Sequence, residues 1–77
     1  MGLTEENKIE ITQRIAVLRE YKDGGTLELN LVRQGQHPEK YDIRRWHIGE
    51  DGVKRPGRGI FLSSYELEEL KAFLIDF

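Results

Sequence analysis

The sequence predicts an α+β domain in which four antiparallel strands precede one C-terminal helix, in the order ββββα. Three observations carry this. Apolar and polar residues alternate over the first part of the chain, the period of a strand with one buried face. Asp-Gly pairs and a proline interrupt that pattern at short intervals, so consecutive strands are joined by tight connections and pair antiparallel. Only the last stretch changes to the three- and four-residue spacing of a helix.

Residues 1–7 read as a polar tail, and residues 8–77 as the folded domain. In the first strand Ile9, Ile11, Ile15 and Val17 sit at odd positions, with Gln13 the exception, while Glu10, Thr12 and Arg14 alternate with them. Asp23-Gly24-Gly25 supplies a turn, since glycine tolerates positive φ. Residues 26–33 repeat the alternation, with Leu27, Leu29 and Leu31 expected on the buried side and Glu28 and Asn30 on the wet one. Pro38 turns the next connection away from helix and from an easy strand continuation. Residues 41–48 form the third strand, with Tyr41 and Ile43 on one face and Asp42, Arg44 and Trp46 on the other. Asp51-Gly52 closes it. Residues 53–59 read as a basic approach, punctuated by Pro56, Gly57 and Gly59, to a short final strand over residues 60–62. Ser63-Ser64-Tyr65-Glu66 then fits a capping box. Leu67, Leu70, Phe73, Leu74 and Phe77 follow as one apolar stripe.

A chain of 77 residues is one domain, and its core alone is marginal. It has no cysteine, which excludes disulfides, thiol nucleophiles and Cys-based zinc sites. Without such staples, oligomerisation is the expected source of further buried surface, and the helix stripe is the expected contact: Leu67, Leu70, Phe73 and Leu74 against a second copy. No apolar run approaches the roughly 18 residues of a membrane span. The acidic start lacks the apolar segment of a signal peptide, so the cytoplasm is the expected compartment.

The formal net charge of −2 conceals a segregation. Between Arg33 and Arg58 seven basic residues face four acidic ones, net +3, whereas the remainder carries five basic and ten acidic. A concentrated positive segment is what a face for polyanions needs. Within it, Arg44 and Trp46 point to one side of a strand. On an open sheet face that pair would hold a single nucleic-acid strand, the ring stacking a base and the cation taking phosphate. Trp46 has a second reading, as a core ring. Lys54, Arg55 and Arg58 form a weaker cluster with glycines beside them, and Arg14, Arg33 and Lys40 complete the basic surround.

Catalysis finds little support, and no enzyme activity is expected. His37 and His47 are ten residues apart with no nucleophile placed beside either. Asp42, Glu50 and Asp51 lack the spacing of a calcium loop, and no metal or cofactor is expected.

Tyr41-Asp42-Ile43-Arg44-x-Trp46, followed by Pro56-Gly57-Arg58-Gly59-Ile60-x-Leu62-Ser63, resembles the core of the transcriptional positive cofactor 4 family, and most closely its short bacterial one-domain branch. These are single-stranded-DNA-binding coactivator domains. Glu28-Leu29-Asn30-Leu31-Val32 and the Glu-rich helix extend the resemblance over roughly residues 8–75. It implies a curved antiparallel sheet and a helix in a homodimer whose sheets form a groove for single-stranded DNA. It also implies that Arg44 contacts DNA, that Trp46 is an aromatic of the same strand, and that Arg58 is the Arg of the Pro-Gly-Arg turn. The chain departs from the family at Gly59, where a Lys often follows that Arg, and at Gln34, where the bacterial branch tends to have an aromatic.

The function expected is therefore binding of single-stranded DNA, or of RNA, with little sequence preference, by a homodimer working with transcription or replication and repair proteins. As a phosphate contact, Arg44 is expected to add about one unit to the salt slope of binding. The rival reading is a protein-interaction module with the same fold and no nucleic-acid binding.

Overall fold

A computed structural model describes residues 8–77; the expected tail over residues 1–7 lies outside the described residues. Four strands, β1 (Ile9–Glu20), β2 (Thr26–Gln34), β3 (Lys40–Ile48) and β4 (Lys54–Leu62), are followed by α1 (Ser64–Ile75). The strands pair antiparallel in chain order, so β1 and β4 are the two edges. Short turns enforce this order. In the first, the Gly25 amide donates to the Asp23 carboxylate and the Tyr21 amide to the Gly25 carbonyl. In the third, the Val53 amide donates to Asp51.

Three differences from the sequence expectation matter for the site. First, β1 is not a simple alternating strand. Its pairing with β2 shifts between Ile11 and Gln13, between Arg14 and Ala16, and between Val17 and Arg19. Ile15 and Leu18 fall at these shifts and are exposed, and Val17 is exposed although it shares a face with the half-buried Ile9 and Ile11. Second, residues 53–59 are mostly strand: β4 is nine residues long and includes Pro56, Gly57 and Gly59. Those breakers are tolerated because β4 is an edge, where a missing amide costs no ladder bond, and because the β3–β4 register shifts between Arg44 and Trp46.

Third, the wet and buried faces are exchanged. Glu28, Asn30, Asp42 and Arg44 are buried, together with Val32 and Trp46. Leu27, Leu29, Leu31, Tyr41 and Ile43, on the opposite face, are only half-buried. We call these the inner and outer faces. No residue of α1 is buried, so the helix adds no full second layer. The pairing of β1 with β2 shifts three times and that of β3 with β4 once, and such shifts add local twist to a sheet.

The helix forms where the sequence places it. The Glu66 amide donates to the Ser63 hydroxyl at 3.1 Å, and the Ser63 amide to the Glu66 carboxylate at 2.8 Å. It ends at Ile75, so Phe77 lies beyond it. Leu67 is half-buried, but Leu70, Phe73, Leu74 and Phe77 are exposed. With this uncovered stripe the Cα radius of gyration is 13.5 Å. A compact chain of this length would have roughly 11–12 Å. No helix among the described residues is long and apolar enough to cross a membrane.

Candidate nucleic-acid interface

The inner face is a lattice of cross-strand rows. One runs Val17, Glu28, Arg44, Gly59, and the next runs Arg14, Asn30, Asp42, Phe61. Its buried charges are compensated by neighbours within and beyond these rows. Glu28 accepts from Asn30 Nδ2 at 3.0 Å, from Lys54 Nζ at 2.7 Å and from the Thr26 hydroxyl. Burial pushes the Glu28 carboxyl up, but the bonds from Lys54, Thr26 and Asn30 outweigh it and bring the pKa down to about 2. Asp42 is fully buried and has Arg44 as its ion-pair partner. Here burial prevails over that guanidinium, and the Asp42 pKa is raised.

Arg44 reaches three groups at once. Its Nε lies 3.1 Å from both Asp42 oxygens and Nη2 lies 2.9 Å from Oδ1. Nη1 donates to the Gly57 carbonyl at 2.8 Å, and Cζ stands 5.0 Å from the centre of the Phe61 ring. Gly59, its partner across the strand, makes room: a Cβ there would come within 2.5 Å of the Ile43 carbonyl oxygen and 2.6 Å of Arg44 Cβ. Trp46 is 4% exposed, with Lys54 Nζ 5.2 Å from its ring centre. The open platform expected of Arg44 and Trp46 is thus a closed one. The two do share a face, but both are buried on it, and complementary charges make a polar interior tolerable.

The remaining basic residues separate into two groups. Arg33 pairs with Glu39 at 2.9 Å and Arg55 with Asp51 at 2.6 Å, both at the surface, while Lys54 is held by Glu28. Asp51 is accordingly held well below the usual carboxylate range by Arg55 and the Val53 amide. Arg14, Lys40 and Arg58 are exposed and have no acid partner among the described residues.

Phe61 is the residue sequence reasoning missed. It is half-buried in the row of Asp42, with Lys40 Nζ 5.7 Å from its ring centre. A groove of ≈ 380 Å³ opens beside it, between Pro38, Lys40 and the start of α1 at Ser63 and Ser64. Its place follows from the register: position 61 is two residues beyond Gly59, which pairs with Arg44. On the far side of the molecule Tyr21 is flanked by Arg45 at 4.0 Å and Arg19 at 4.9 Å, and Arg45 also pairs with Asp23 at 3.6 Å. Of the three acids weighed as metal ligands, Asp42 is engaged inside with Arg44 and Asp51 outside with Arg55.

No protein-family model matches the chain. A protein of Treponema pallidum (strain Nichols), described as uncharacterized, is 32% identical over 65 residues, a span that covers 84% of this chain and 73% of that protein.

Proposed function

The chain belongs to the same family as that uncharacterized Treponema pallidum protein, and on the geometry of its own sheet face we propose that it is a homodimeric module that binds single-stranded nucleic acid. The observation that carries the reading is Phe61, a partly open ring on a sheet face with the unpaired cation of Lys40 beside it. A ring of this kind stacks a base only when the base face is free, as it is in a single strand. Lys40, Arg58 and Arg14 supply phosphate contacts, since none is committed to an acid among the described residues. The resemblance to the positive cofactor 4 family belongs to this proposal, with Phe61 rather than Trp46 as the stacking ring.

The homodimer is part of the same reading. Phe73 is 74% exposed and Leu74 55%, on a helix that is otherwise well capped. A second copy is the simplest cover for a stripe this apolar. The module would act in the cytoplasm, on DNA or RNA exposed during transcription, replication or repair, and it performs no catalytic step.

Titration of labelled oligo-dT, oligo-U and a blunt duplex at two salt concentrations tests this. The single strands should bind more tightly than the duplex and lose affinity steeply with salt. Tighter binding to the duplex would end the assignment. One observation favours the rival class, a protein-interaction module: Ile15, Val17 and Leu18 are exposed on the β1 edge. Such a module would show no oligonucleotide binding and no salt slope.

A further inference from the structure

Arg44 is the one guanidinium of the basic segment that is buried, 8% exposed, and the groups it reaches belong to its own chain. We infer that Arg44 is a positioning residue, which fastens the β4 edge to β3 and so presents Phe61 and Arg58, and that it does not itself contact the nucleic-acid strand. The inference rests on the functional reading above and reverses the role expected for Arg44 from the sequence.

Three features lead to it. The charge of Arg44 is already matched by Asp42, which is wholly buried and has no other cation on it among the described residues. Turning the guanidinium toward a phosphate would leave Asp42 alone in a closed environment, a strongly unfavourable state. The remaining reach of Arg44 is directed at β4. Nη1 holds the carbonyl of Gly57, within the register shift that contains Arg58, and the guanidinium lies against Phe61 four residues further on. Because β4 is an edge strand with a proline and two glycines, its ladder to β3 is its main restraint, and Arg44 adds a second one. Lysine could keep the ion pair with Asp42 but has no planar fork to span both Asp42 and Gly57.

The test compares oligo-dT binding by the unmodified protein, Arg44→Lys, Arg58→Ala and Asp42→Asn over a series of salt concentrations. A cation neutralised inside the protein releases no counterions when DNA binds. Arg58→Ala should therefore make the salt slope shallower by about one unit. Arg44→Lys should weaken binding roughly fivefold or more with the slope unchanged. Asp42→Asn separates the two roles without removing the arginine. If Arg44 touches phosphate, freeing it from its carboxylate must tighten binding; if Arg44 positions β4, binding must weaken. A shallower slope in Arg44→Lys, or tighter binding by Asp42→Asn, overturns the inference. Amide exchange of the free protein decides the point independently of any ligand: β4 should exchange at least about tenfold faster in Arg44→Lys while β2 keeps its rate. Equal rates in β4 would also overturn it. Should the unmodified protein bind no oligonucleotide, the functional reading falls, and the exchange result still decides whether Arg44 holds β4.

Discussion

Acidification from about pH 6 toward pH 2 should remove a defined part of the stability through Glu28. In the unfolded chain this carboxyl titrates at its ordinary value of 4.5, and in the fold at about 2. Above 4.5 both states are ionised and the contribution of the Glu28 contacts is complete. It is lost as pH falls through the interval down to about 2. At about 1.4 kcal/mol per pH unit, that interval corresponds to roughly 3 kcal/mol. Glu28 is 1% exposed, so solvent screens little of this. Asp42 acts in the opposite sense: its raised pKa makes ionisation costlier in the fold, and its effect on stability falls as pH rises past 3.8. The contribution of Glu28 is therefore isolated by difference. Urea unfolding followed by Trp46 fluorescence would be run at several pH values on the unmodified protein and on Glu28→Gln combined with Lys54→Met, a pair of changes that leaves neither charge unmatched. The unmodified protein should lose roughly 3 kcal/mol more than the double variant between pH 4.5 and 2. Equal losses would show that the Lys54, Thr26 and Asn30 bonds do not hold Glu28 ionised.

The other predictions concern the rings and the helix. Trp46→Ala should cost about 3–5 kcal/mol of stability in a thermal melt, the cost of emptying a core site, and leave oligo-dT affinity per folded molecule nearly unchanged. Phe61→Ala should do the reverse, weakening oligo-dT binding by about 1–3 kcal/mol in a fluorescence titration with a modest change in melting temperature. If the proposed homodimer forms through the helix stripe, Leu70→Asp should yield a monomer in sedimentation equilibrium, because it would put a charge within that apolar contact; a stable monomer for the unmodified chain would exclude the homodimer.

The helix and the strand order were legible in the sequence because each has a local cause. Ser63 and Glu66 form the cap they spell, and the Asp-Gly turns sit where Asp23 and Asp51 place them. Which face of the sheet is buried was not legible. Alternation separates two faces, and hydropathy then assigns the leucine side to the interior, which is correct only when side chains must find water singly. Here Glu28 finds Lys54 from two strands away, and Asp42 finds Arg44 two residues along the same strand. Those charge complements were visible in the sequence, but reading them as a buried network requires the register. The same gap concealed Phe61. Pro56, Gly57 and Gly59 suggested a loop, and only their position on an edge lets the strand run through them to the ring.

The three bulges of β1 have a consequence for self-association. An edge strand with Ile15, Val17 and Leu18 exposed would ordinarily template further strands and seed aggregates. Each bulge breaks the spacing of amides and carbonyls and increases the local twist, so a second chain cannot run straight along this edge. The apolar residues stay displayed, but on a strand that resists extension into a larger sheet. Loss of the extra residue of a bulge, Thr12 between Ile11 and Gln13, would remove one such interruption, leave every other residue opposite its present partner, and give the edge a longer run of regular spacing. Natural length variation in this strand should therefore be rare, and single-residue deletions in β1 should drive the chain into inclusion bodies more readily than deletions in the turn after it.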